Sequence, residues 1–174
     1  VVAKTDPSAG AKGTSLFLVE AGTPGFEKGQ RLKKLGMKAQ DTSELFFQNV
    51  RVGADQLLGG AAHLNRGFIA LMEQLPWERL QIAVTAVAAA QSVIEQTVAY
   101  VKERHVFGQP VASYQNTRYT LAELQTEVQV ARVFVDKCIE LVMGDQLDSA
   151  TASMAKYWCT DLQCKVMDAC VQLH

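Results

Sequence analysis

The sequence has little from which a metal site or a common hydrolytic centre is built. Only three histidines occur, His63, His105 and His174, without the i,i+4 partners that a helical metal site needs. That scarcity argues against metal catalysis. No G-x-S-x-G elbow, P-loop or G-x-G-x-x-G turn follows a strand-like run, so serine hydrolysis, nucleoside triphosphate chemistry and a Rossmann site lack support. The four cysteines, Cys138, Cys159, Cys164 and Cys170, show no C-x-x-C spacing and fall in helix-like segments. They are expected as free thiols in or near the core of a protein from a reducing compartment. Neither sign of charge dominates, with 17 basic against 18 acidic residues. No broad field then draws the chain to nucleic acid or an anionic membrane, and local clusters must carry any anion binding. No secretory signal is evident, and no apolar run reaches the roughly 20 residues that span a bilayer.

What is present is ordinary globular material: 174 residues, 48% hydrophobic and 20% charged, enough for one substantial domain or two small ones. Both ends have the look of cuts, because helical periodicity still runs at "DACVQLH" with no C-cap glycine in sight. Two halves differ in character. Residues 1 to about 58 alternate short runs, "VVAK", "TSLFLVE" and "SELFFQNVRV", with turn chemistry in "DPSAGAKG" and "AGTPGFEKG", which reads as strands with tight connections. Imperfect alternation of Leu45, Phe47, Val50 and Val52 predicts a bulge or a strand covered on both faces. The period then changes, and "LGGAAHLN" is the plausible boundary between residues 1–60 and 61–174.

Four helices are expected in the second half. "NRGFIALMEQL" forms a short one, and Pro76 opens the next, where its missing N–H costs nothing. That second helix runs to about residue 104, with basic residues near its end and Gly108 beyond. A third, from about Tyr114 to Met143, repeats Leu121, Leu124, Val128, Ala131, Val135, Ile139 and Val142 on one face. A fourth starts after Asp148 or Ser149 and carries Met154, Trp158, Leu162, Val166 and Cys170 in one row. The fold class is α+β, strands followed by an antiparallel bundle.

Two stretches carry possible chemistry. In "LPWERL", Glu78 is placed in a first helical turn beside Trp77. Desolvation there raises a carboxyl toward useful base strength, while the dipole alone also favours an acid at a helix start. In "RHVFGQPVASYQ", a basic residue, a Phe-Gly turn and Tyr114-Gln115 suit a pocket for a phosphate-bearing ring system. A plain loop between bundle helices accounts for them equally well.

Taken together, "GMKAQDTSELFFQNVRV" with "LLGG" and "NRGF", "LPWERL", "ERHVFGQPVASYQ" and "LDSATASMAKYWCTDLQ" with "VQLH" resemble the acyl-CoA dehydrogenase family, in order and over essentially the whole chain. The third block is highly specific in its spacing. The resemblance implies the end of a middle β domain followed by most of a C-terminal four-helix domain. It further implies FAD-dependent oxidation of acyl-CoA thioesters to trans-2-enoyl-CoA, with a glutamate removing the α-proton while the β-hydride passes to the flavin. Glu78 resembles the helix-start glutamate that long-chain and isovaleryl types use, and "LDSATASMAKYW" leans toward the long-chain type.

By the same resemblance Arg79 helps bind the CoA part of the substrate, with a local structural role as the competing reading. Arg104, Phe107 and Gln115 resemble residues that contact FAD from the neighbouring subunit, and Gln172 opens a segment that meets the adenosine pyrophosphate. A homodimer or homotetramer is therefore implied, with electron-transfer flavoprotein as acceptor and bacterial cytoplasm or mitochondrial matrix as location. Val106 stands where small or hydroxylated residues are common, and Gly53 where a proline is usual. An isovaleryl or short-branched specificity, or a non-catalytic helical assembly module, are the alternatives.

Overall fold

Glycine spacing decides the first connection. β1 (Val2–Lys4) and β2 (Thr14–Leu16) pair antiparallel, Val2 opposite Leu16 and Lys4 opposite Thr14. The chain between them closes so tightly that a Cβ at Gly13 would lie 1.8 Å from the Asp6 carbonyl oxygen, which leaves room only for glycine. The Asp6 carboxylate starts that turn by accepting from the Ser8 hydroxyl and amide, and these bonds hold its pKa below the usual carboxylate range. A second hairpin joins β3 (Phe26–Arg31) to β4 (Ser43–Phe47). Phe26 stacks on Phe47 at 5.0 Å between ring centroids.

This hairpin departs from the sequence expectation in two respects. β3 lies in a stretch assigned to turn chemistry, and the register shift falls on β3 between Lys28 and Arg31. The imperfect alternation of "ELFFQNVRV" has another cause: β4 ends at Phe47, and Asn49 at φ +51° turns the chain away. Gly53 also acquires a purpose, because its amide donates to Gln56 Oε1 at 2.8 Å, a bond that proline could not make.

A computed structural model describes residues 1–174, which divide into units of residues Val1–Met72 and Glu73–His174. The α+β order, strands first and helices after, stands. Three long helices follow: α1 (Gly67–Glu103), α2 (Gln115–Met143) and α3 (Ser149–Val171). The two helices expected on either side of Pro76 run as one, with Pro76 inside α1. An interior proline leaves the carbonyl four residues back without its amide and costs about 3 kcal/mol. The long buried stripe beyond it, Leu80, Ala83, Ala86, Val87, Ala90 and Ile94, offsets that cost through packing. α1 is also long and apolar enough by composition to cross a membrane, contrary to the expected absence of such a run. The core helix of an ordinary bundle passes the same test.

Contacts fix the helix directions. Lys165 reaches Glu123 and Glu127, and Trp158 lies against Phe134, so α2 and α3 are antiparallel. Arg132 bonds Gln91 while Ile139 and Met143 lie beside Leu80 and Val84, which makes α1 and α2 antiparallel as well. Asp148 caps α3 by accepting from Ala150 and Thr151 amides at 2.8 and 2.9 Å. The core rows are shifted from those expected. On α3 the buried set is Ala152, Ala155, Cys159, Leu162, Val166 and Cys170, whereas Met154 and Trp158 are exposed. On α2 Cys138 takes the core place expected of Ile139. A helix of 3.6 residues per turn needs mixed steps of three and four to keep one face inward. Of the thiols, Cys138, Cys159 and Cys170 are buried and Cys164 is exposed.

Candidate active site

Glu78 lies about three turns into α1, because the helix starts at Gly67 rather than at Pro76. The expectation of a first-turn acid is thus corrected, and with it goes the dipole as an explanation for this carboxylate, since that field fades beyond the first turn. Its side chain is exposed and forms no ion pair within the chain. Shielding by Trp77 is also not found. Trp77 points into an open apolar pocket of 530 Å³ that it lines with Leu80, Gln81, Val84, Thr85 and the α2 residues Ile139, Val142 and Met143. Glu78 is not among the residues that line it, but on α1 it shares a helix face with two that do, Gln81 and Thr85, three and seven residues on. The α2 wall of the pocket is not marked by any motif in the sequence. Its signal is the apolar trio at the end of α2, where Ile139 and Met143 stay exposed.

Arg79 is held differently. Its Nη1 donates to Ser149 Oγ at 3.1 Å and to Ser153 Oγ at 3.2 Å, in the first two turns of α3. Ser153 is itself fixed by donating to the Ser149 carbonyl at 2.6 Å. Both partners are neutral. The guanidinium is oriented while its charge stays available to an anion, so the structural and binding readings of Arg79 are compatible.

At the far end of α1 the chain makes a two-residue hairpin. β5 (His105–Val106) pairs with β6 (Gln109–Pro110), and the linking Phe107 and Gly108 have φ +52° and +83°. Positive φ at both positions gives the primed turn that matches strand twist. Glycine adopts it freely and phenylalanine does not. Phe107 is nonetheless 95% exposed, an aromatic ring held into solvent on a strained backbone. The hairpin is pinned from below: the Val111 amide donates to the Arg104 carbonyl at 2.8 Å, and the Tyr114 hydroxyl donates to the Val106 carbonyl at 2.8 Å. Gln115 opens α2 with its amide nitrogen on the Tyr119 hydroxyl at 2.8 Å. No side chain caps the α2 N-terminus, so its first amides are free for acceptors.

Arg104, Phe107 and Gln115 are therefore brought together, all exposed. Gln172 is not with them along the chain. It is the exposed C-cap of α3, next to His174, whose ring stacks on Tyr100 at 4.1 Å and meets the buried Thr97 hydroxyl at 3.3 Å. Nor does Glu78 join the hairpin. The α1 rise separates them by roughly 38 Å. The hairpin set suits a flavin dinucleotide in kind: a ring to stack, a cation and free helix amides for phosphate, and an amide for hydrogen bonds.

Residues 65–174 match the family described as acyl-CoA dehydrogenase, C-terminal domain. The whole chain is 52% identical to the mitochondrial long-chain specific acyl-CoA dehydrogenase of Mus musculus, covering 40% of that protein. It is 39% identical to a cyclohex-1-ene-1-carbonyl-CoA dehydrogenase of Syntrophus aciditrophicus over 99% of the chain and 41% of the relative. The structure of an acyl-CoA dehydrogenase from Geobacillus kaustophilus superimposes with a TM-score of 0.95 at 43% identity, covering 100% of this chain and 46% of that one. The chain spans about two fifths of the length of the curated relatives it matches.

Proposed function

Since the chain belongs to the acyl-CoA dehydrogenase family, we propose that it carries the α-proton base for FAD-dependent oxidation of long-chain acyl-CoA thioesters to trans-2-enoyl-CoA. The observation that carries this reading is the 52% identity, over the full chain, to a relative named for long-chain acyl-CoA. Glu78 is the base. It is exposed and without an ion-pair partner, on the helix face of the pocket residues Gln81 and Thr85, where a bound acyl chain can displace water from it. An α-proton beside a thioester is a poor acid, so the carboxylate must act on a carbonyl that is hydrogen-bonded as enolate character develops. Arg79, oriented by Ser149 and Ser153, binds the anionic CoA portion and fixes the α-carbon relative to the neighbouring carboxylate. FAD, when bound, supplies the acceptor for the β-hydride.

Arg104, Phe107, Gln115 and Gln172 are the FAD-binding residues in this reading. The roughly 38 Å of α1 between Glu78 and the hairpin supports a hairpin that serves a second subunit, and hence a homodimer or homotetramer. Residues 1–60 represent the end of a middle β domain and 61–174 the helical domain. Electron-transfer flavoprotein is the onward acceptor, in mitochondrial matrix or bacterial cytoplasm. The test is anaerobic flavin bleaching by a long-chain acyl-CoA in the full-length protein and its Glu78→Gln variant. Bleaching is expected to slow by about 10² to 10⁴-fold. Undiminished bleaching in the variant overturns the base assignment.

A further inference from the structure

One local cluster escapes the even charge balance. Residues 28–38 hold Lys28, Arg31, Lys33, Lys34 and Lys38 and no acid, leaving 12 basic against 18 acidic residues elsewhere. The cluster occupies the end of β3 and the loop to β4, and large apolar side chains stand among the charges: Leu35 is fully exposed and Met37 is 72% exposed. This tip has a defined shape. Met37 has φ +50°, the Gln40 amide donates to the Met37 carbonyl at 3.1 Å, and Lys34 Nζ donates to the Gln40 carbonyl at 2.6 Å. Arg31 is paired with Asp41 at 2.9 Å, which leaves Lys28 on β3 and Lys33, Lys34 and Lys38 in the loop as cations without an acid partner.

We propose that this loop docks on the surface of an anionic phospholipid bilayer. Leu35 and Met37 enter the interface, and the lysines meet the headgroup phosphates. Leu35 and Met37 stand among the lysines on one short tip, and a phosphate surface alone gives their side chains no partner. A bilayer interface takes both chemistries at once. The proposal is independent of the dehydrogenase reading.

The test is co-sedimentation of the full-length protein with phosphatidylcholine vesicles, with and without phosphatidylserine, at low and at 0.5 M salt. Binding is expected only with the anionic vesicles, and salt should abolish it. Each lysine contributes roughly five-fold to the partition coefficient, so a Lys33→Gln, Lys34→Gln, Lys38→Gln variant should bind about a hundred-fold more weakly. Leu35→Ser should also weaken binding while leaving the native mass and flavin bleaching unchanged. Failure of the parent to sediment overturns the proposal, as does equal sedimentation of parent and variants. A fall in oligomeric mass in Leu35→Ser would identify the tip as a contact between copies and overturn it too. Bleaching by acyl-CoA reports separately on the dehydrogenase reading.

Discussion

The middle turns of α1 and the hairpin that follows it solve the problem of presenting a side chain in opposite ways. Around Glu78 and Arg79 the backbone is plain helix, and the difference lies in side-chain partners: Arg79 is tied by two hydroxyls and Glu78 by none. Around Phe107 the backbone itself is distorted, with φ +52° lifting an aromatic ring clear of the protein. At the first place a conservative substitution should change chemistry and leave stability alone. At the second, stability and function should move in opposite directions.

Glu78→Gln is the largest expected effect, a loss of about 10² to 10⁴-fold in the rate of flavin reduction with an unchanged melting temperature. A large fall in melting temperature would break the contrast. Next, Leu124→Ala, in the α2 core at 2% exposure, should cost about 2–5 kcal/mol in denaturant unfolding, which calibrates what a purely structural residue does. Arg79→Lys should raise KM for acyl-CoA about ten-fold with little change in kcat, because it keeps the charge and loses the fork that the two serines orient. Phe107→Gly is expected to gain up to about 1 kcal/mol of stability by relieving the left-handed backbone, yet to lose bound FAD more readily on dilution. A variant that loses stability instead would show that Phe107 is a packing residue.

The smallest effect concerns the thiols. Burial, then the neighbouring Cys138, pushes the Cys159 thiol up to about 11 from an ordinary 9.0. A folded-state pKa raised above the unfolded one means that the stability it contributes is complete below about pH 9 and is lost as pH rises toward 11. Because Cys138, Cys159 and Cys170 are buried and Cys164 is exposed, native protein at pH 8 should react with a thiol reagent at Cys164 alone.

The sequence made much of the helical half legible because its signals are local. Asp148 caps α3 as expected, Gly144 ends α2, and the Phe107-Gly108 pair marks the hairpin. What it concealed depends on packing. The Pro76 break fails because tertiary burial outweighs local propensity, and that single error misplaced Glu78 in a first turn. The α3 row was misjudged because Met154 and Trp158 outweigh Ala152 and Ala155 in any count of apolar bulk, while close helix contact favours the small residues. The candidate site residues rest on the resemblance of their motifs to those of the family. The free state of Glu78, the serine tether on Arg79 and the pocket wall from α2 could only come from three dimensions.

The serine tether has an evolutionary and engineering consequence. Arg79 takes its orientation from Ser149 and Ser153, which lie at the start of a different helix whose position is set by the Asp148 cap. Changes in the short loop between α2 and α3, far along the chain from Glu78, therefore reorient the Arg79 guanidinium without touching it. Libraries that test the proposed role of Arg79 would do well to include residues 145–153 alongside the neighbours of Glu78.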